Sequence, residues 1–147
     1  PTIGAPPDFP LTNLWATAPT PARSAGCADA ADRPVVLEPP KHGTIFRVVE
    51  FPPEKTGGTF NRTQAFSAMG ADHAMDPDAS RHPGMHKTGT VDYAIVLSGG
   101  IWALMDEGET LMKAGDCLVQ RGTNHAWANR SDAPCLLAFI LVSADRV

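Results

Sequence analysis

The sequence predicts an all-β domain, a barrel or sandwich of short strands, and three observations carry that prediction. From Thr90 onward, runs of roughly five to eight residues rich in β-branched, aliphatic and aromatic side chains recur at close spacing. Glycine-containing turns stand between them: Gly99-Gly100, Ala114-Gly115-Asp116 and Arg121-Gly122. The 147 residues also include 14 prolines and 13 glycines, punctuation that suits many turns better than long helices.

Residues 1–44, rich in proline and alanine, read as an arm packing on a barrel domain of residues 45–147. Within the arm, residues 11–17 form a short edge strand with Trp15 as its anchor, because a disordered tail rarely carries Leu11, Leu14 and Trp15 so close together. Residues 43–51 are the first full strand, dense in β-branched and aromatic residues and stopped by Pro52-Pro53. Alternation puts Ile45, Arg47, Val49 and Phe51 on one face and Phe46, Val48 and Glu50 on the other. Arg47, among apolar neighbours, is expected to snorkel at a barrel mouth or pair with an acid; the sharper alternative makes it a clamp for an anionic substrate. A Gly57-Gly58 turn leads to residues 61–75, helical in composition, with Phe66, Met69 and Ala74 near one face and Gly70 weakening the pattern. Strands follow at 91–97, 101–106, 110–113, 117–120, 125–129 and 135–143, the last apolar on both faces and therefore buried on both.

Composition narrows the function classes. An apolar share of 43%, a charged share of 19% and a net charge of -4 fit one soluble domain and leave no basic face for nucleic acid. No apolar run approaches the roughly 20 residues that span a bilayer, and the start lacks a signal-peptide pattern. Pro1 implies a removed initiator methionine or a trimmed chain. Three cysteines without regular spacing do not describe a disulfide framework. Cys117 and Cys135 are expected to be small core residues, and a reducing, cytoplasmic setting is the expectation.

The chemistry-bearing residues are His86, Asp92 and His125. Asp92 shares a strand face with Ala94 and Val96, where a carboxylate is costly unless a cation or donor meets it. His125 shares its face with Trp127 and Asn129, and His86 lies just before the strand of Asp92. If these strands line one barrel, two imidazoles and a carboxylate converge, a ligand set that leaves coordination positions open. His82 is a candidate fourth ligand, His73 a weaker one, and His42 is expected to be exposed. In the alternative without metal, Asp92 and His125 merely satisfy hydrogen bonds inside the barrel.

This stretch resembles the two motifs of the cupins, in particular small single-domain conserved-barrel (type-2) cupins. Their first motif runs G-x5-H-x-H-x3/4-E-x6-G; here His86, Thr88, Asp92 and Gly99 fall at matching spacing, with Thr88 in place of a histidine and Asp92 in place of glutamate. The second runs G-x5-P-x-G-x2-H-x3-N; here Gly115, Gln120, Gly122, His125 and Asn129 correspond, with Gln120 in place of proline and one residue fewer after Gly115. The resemblance covers residues 82–143 and implies a double-stranded β-helix, or jelly-roll, barrel with an N-terminal arm and one short helix. It also implies a divalent metal (Fe, Mn, Zn, Ni or Co) on His86, Asp92 and His125, which are then the catalytic residues as well.

A metal as Lewis acid would serve a lyase, decarboxylase or isomerase acting on a small oxygenated acid or ketone, which is the leading functional reading. An Fe(II)-dependent dioxygenase or oxygenase is the second, and a non-catalytic small-molecule binder the third. Arg47, Gln120, Trp102, Trp127 and Phe139 are the candidate pocket residues, with Met105 and Leu141 as further apolar lining and Tyr93 directed away. The expected partners are a small-molecule substrate and a second copy of the chain, joined through the arm and the barrel edge, with no nucleic acid and no membrane.

Overall fold

Side-chain alternation on three long strands decides where the core lies. On β3 (Thr44–Phe51), Ile45, Arg47 and Val49 are buried while Phe46 is exposed. On β4 (Thr90–Ser98), Asp92, Ala94 and Val96 are buried while Tyr93 and Leu97 are exposed. β9 (Cys135–Ser143) runs antiparallel between β3 and β4 and is buried along its inner side, with Leu136, Ile140 and Val142 half-buried outside. The computed structural model describes residues 2–4, 10–56, 62–78 and 81–145.

β1 (Thr2–Gly4), β2 (Pro10–Thr17) and β7 (Cys117–Arg121) complete a six-stranded antiparallel sheet of order β1-β2-β3-β9-β4-β7. β5 (Gly100–Met105), β6 (Glu109–Lys113) and β8 (His125–Ala128) make a second sheet of order β6-β5-β8. Inward residues of both sheets, among them Ile45, Val96, Ile101, Ala103 and Leu137, form the main core. A smaller cluster of Met85, Leu104, Ala126 and Ala128 packs on the other side of the second sheet. Among the described residues, no helix is long and apolar enough to cross a membrane.

The turns that bring the strands back are where glycine is required. Gly99 has φ 78°, and a Cβ there would lie 2.8 Å from the Pro134 carbonyl oxygen. Gly122 has φ 61° and sits against Thr88, where a Cβ would meet the Thr88 carbonyl oxygen at 3.1 Å. Asn129 closes the end of β8 by donating from Nδ2 to the carbonyls of Phe51 and Ala133, both at 2.8 Å.

Several expectations need correction. β2 is not an edge strand, since β1 pairs with its outer side, and it joins the arm directly to the main sheet. Trp15 does not anchor it: a bulge between Asn13 and Trp15 resets the alternation, leaving Leu11, Asn13 and Ala16 inward and Trp15 48% exposed. The helix α1 covers only Arg62–Ala68, because Gly70 turns to φ 64° and a separate 3-10 turn holds Asp72–Ala74. The Gly57-Gly58 turn and the expected helix start at Asn61 lie outside the described residues. Cys135 is a buried core residue, but Cys117 is exposed, since the inward positions of β7 are Leu118 and Gln120.

Candidate functional site

Between the two sheets lies a cavity of about 100 Å³. Val49, Phe51, Phe139 and Leu141 supply apolar wall from β3 and β9, Trp127 from β8, and Ala65, Phe66 and Met69 from α1 and the residues after it. Its ionisable groups fall into two pairs, His86 with His125 and Arg47 with Asp92, and Thr88 lines it as well.

The histidine pair is built by the backbone. His86 and His125 face each other across an isolated antiparallel bridge, with N–H···O=C bonds of 2.9 and 3.0 Å in the two directions. Their side chains therefore project to the same side, and the rings lie 4.3 Å apart between centroids. His86 Nδ1–H donates to the Gly84 carbonyl at 2.8 Å and His125 Nδ1–H to the Thr123 carbonyl at 2.9 Å. In that tautomer, His125 Nε2 is an acceptor. Burial, reinforced by His86, pushes the His125 imidazole down to about 3, so it is neutral over the ordinary pH range. Phe66 packs edge-on against His86 at 4.9 Å.

Arg47 and Asp92 reach the cavity from β3 and β4, on either side of β9. Their partners on β9 are Phe139 and Leu141. Arg47 is only 3% exposed and donates from Nη2 to the Val36 carbonyl at 2.6 Å. Burial lowers its guanidinium to about 10, with Asp92 acting in the opposite sense. Asp92 is 6% exposed, and burial raises its carboxyl to about 6 against the hydrogen bond from Thr90 and the charge of Arg47, with Glu38 adding to the rise. The Thr90 hydroxyl is itself bonded to Thr88 at 2.7 Å. Arg47 Nε and Asp92 Oδ1 are both buried with no hydrogen-bond partner. Asn13, opposite Arg47 on β2, also has an unpartnered Oδ1 but does not line the cavity.

Of the residues singled out in the sequence, the fold gathers Arg47, His86, Asp92, His125, Trp127, Phe139 and Leu141 around one cavity. Arg47 is neither at a barrel mouth nor snorkelling. Trp102 is not in the cavity: it alternates to the far side of the second sheet, against the Leu104 cluster, with Arg130 5.1 Å above its ring. Gln120 is buried but turns back to donate to Thr123, and it lies outside the cavity lining. His82 pairs with Glu54 at 2.8 Å and His73 with Glu38 at 3.1 Å, both away from the cavity; His42 is exposed as expected. Sequence reading missed Glu38, which accepts from the Gly89 amide at 2.8 Å and acts on Asp92. It lies in the arm, about fifty residues from its partner, with no pattern to mark it.

The three-ligand expectation meets a mixed arrangement. Both imidazoles have Nδ1 tied to a backbone carbonyl, which fixes a ring with Nε2 turned outward as metal-holding histidines require. Yet among the described residues no three His, Cys, Asp or Glu side chains gather closely enough to hold one ion. Asp92 associates with Thr90 and Arg47, and the charge acting on His125 is that of His86. As they stand, His86, Asp92 and His125 do not fit a shared metal centre, although the two histidines do come together.

No protein-family model matches the chain. Over 48 residues it is 54% identical to Phomopsin biosynthesis cluster protein D of Diaporthe leptostromiformis, a match that takes in 32% of this chain and 25% of that protein. Over 96 residues it is 29% identical to a cupin-domain-containing oxidoreductase of Hypocrea virens, covering 63% of this chain and 36% of the relative. With its two antiparallel sheets and its two motifs, the chain is similar to proteins that carry a cupin domain. Among solved structures it is similar to a Cupin 2 conserved barrel domain protein from Salinispora arenicola, with a TM-score of 0.48, 11% identity, and coverage of 92% of this chain and 76% of that one. The chain spans about a quarter to a third of the length of the curated relatives it matches.

Proposed function

We propose that the cavity takes up a small oxygenated acid or ketone and acts on it by proton transfer, the step shared by isomerases and by lyases such as decarboxylases. The observation that supports this is the Arg47–Asp92 pair, buried in the wall of an otherwise largely apolar cavity, with an unmet donor and an unmet acceptor. A carboxyl raised to about 6 is suited to taking and returning a proton near neutrality. In this reading Asp92 takes a proton from the carbon beside the substrate carbonyl. Arg47 holds the carbonyl oxygen on which negative charge develops, and Asp92 returns the proton to the neighbouring position. His125 and His86 orient the substrate from the opposite wall, and Trp127, Phe139 and Leu141 exclude water. A divalent metal held by the histidine pair would add Lewis-acid polarisation of the carbonyl; the carbonyl-anchored imidazoles support that addition.

Exchange of substrate hydrogen from deuterated water, followed by NMR on a panel of small hydroxy-ketones and β-keto acids, tests the reading. Asp92→Asn should slow exchange by about a hundredfold or more. Exchange indifferent to Asp92 would contradict the proposal. A second reading, oxidation of the same substrates, is favoured by three relatives that carry the name cupin-domain-containing oxidoreductase. Oxygen consumption on adding substrate would support it over proton transfer.

We also propose that two copies associate through the arm and adjoining barrel surface. Support comes from one row of paired positions across the outer face: Trp15, Phe46, Ile140, Tyr93 and Val119. Four of these are exposed, from 38% at Phe46 to 56% at Val119. Light scattering that gives a monomer mass at about 100 μM would contradict it.

A further inference from the structure

We infer that the cavity selects a neutral ligand whose polar edge is acceptor and donor at once, such as a hydroxy-ketone or carboxamide, over a carboxylate anion. This rests on the reading above, in that the ligand occupies the same cavity, and within that reading it favours the ketones over the acids.

Two unmet atoms of opposite kind define the edge. Arg47 Nε–H needs an acceptor, and Asp92 Oδ1, when ionised, needs a donor. A buried polar group left unpaired is costly, so a ligand that pairs both is favoured over one that pairs one. The two strands that carry them are separated by β9, which sets their backbones about 10 Å apart. Phe139 and Leu141 of β9 floor the space between, so the ligand's polar edge would bridge the two side chains over an apolar surface.

Charge balance points the same way. Arg47 and Asp92 bring opposite charges to the cavity wall, a balance that a neutral ligand leaves undisturbed. Glu38 bears on Asp92 with further negative charge. A carboxylate would satisfy Arg47, leave Asp92 Oδ1 without a donor, and bring an uncompensated charge into a buried site. A ketone lacking a neighbouring hydroxyl would leave the same oxygen unmet. Size limits the remainder of the molecule: about 100 Å³ is less than the roughly 150 Å³ apolar cavity that takes up benzene, which suits a short branched chain.

Isobutyramide and isobutyrate share a shape and differ at this edge, so they separate the possibilities. Each is titrated into the full chain at about pH 8, where Asp92 is ionised, with the Trp127 indole resonance as the reporter. Isobutyramide should bind about tenfold or more tightly than isobutyrate. Asp92→Asn, which keeps the shape and removes the negative charge, should reverse that order, because Arg47 is then uncompensated. Circular dichroism checks that the variant is folded. Isobutyrate binding the wild type as tightly as isobutyramide, with Asp92→Asn making no difference, would overturn the inference and leave the cavity reading standing. Failure of both probes to move Trp127 at about 50 mM would overturn the cavity reading together with it.

Discussion

At one wall of the cavity, His86 and His125 give their Nδ1 protons to the Gly84 and Thr123 carbonyls and are locked to each other by two backbone bonds. At the other, Arg47 and Asp92 reach the cavity from the strands on either side of β9, with Nε and Oδ1 unmet. The histidines lie where a short bridge puts them, so their geometry follows from local backbone. The charged pair is held by the long strands of the main sheet and has no reason to be buried unless each member compensates the other. The first wall is positioned by its own backbone; the second carries two unmet atoms arranged for something else to join them.

Removing Arg47 should break this contrast most severely. Arg47→Met leaves the Asp92 carboxylate buried without its countercharge and is expected to cost about 3 kcal/mol in urea denaturation near neutral pH. Arg47→Met with Asp92→Leu should recover most of that loss, since no charge is then left unpaired. A double variant as unstable as the single one would mean that the two residues do not compensate each other.

His125→Ala should cost about 2 kcal/mol, through the space left and the lost bond to Thr123. It also sharpens the division of roles. In protein incubated with a divalent cation and then desalted, elemental analysis should show less metal held by His125→Ala and His86→Ala than by wild type, and little change in Asp92→Ala. Equal loss in all three would restore the three-ligand centre and bring Asp92 to the histidine wall.

The walls also respond oppositely to pH. The folded Asp92 carboxyl keeps its proton up to about 6, against 3.8 when free, so it contributes stability that is lost as pH rises across that window. Folded His125 stays neutral down to about 3, against 6.5 when free, so its contribution is lost as pH falls across its own window. Between about pH 4 and 6 the two oppose each other. Asp92→Asn removes the falling contribution, and the melting temperature should then climb more steeply with pH over that range. An unchanged slope would show that Asp92 is not held in a desolvated place. The smallest effect belongs to Phe66→Leu, which keeps most of the apolar bulk and should cost about 1 kcal/mol for loss of the edge contact on His86, read from the same urea curves.

Much of this was legible in the sequence, and the parts that were share a cause. Strand alternation puts Asp92 and Arg47 inward and Tyr93 outward whatever the tertiary detail, and the strand at Cys135–Ser143 stands out by apolar length alone. The proximity of His86 and His125 followed from the motif spacing. What failed depended on information that alternation does not carry. The bulge after Asn13 turned Trp15 outward, Gly70 ended the helix early, and the short second sheet sent Trp102 to its far side. Convergence of Asp92 with the histidines was the natural expectation for residues lining one barrel. Asp92 does line the same cavity, but the groups that act on its carboxyl are Thr90, Arg47 and Glu38, and Arg47 lies 45 positions before it in the chain.

A crystal of the full chain soaked with isobutyramide tests the central claim most directly. Density for the amide should lie between β3 and β4 over Phe139, with its oxygen on Arg47 Nε and its nitrogen on Asp92 Oδ1. Ordered water completing both atoms, with the amide absent from the cavity, would contradict it.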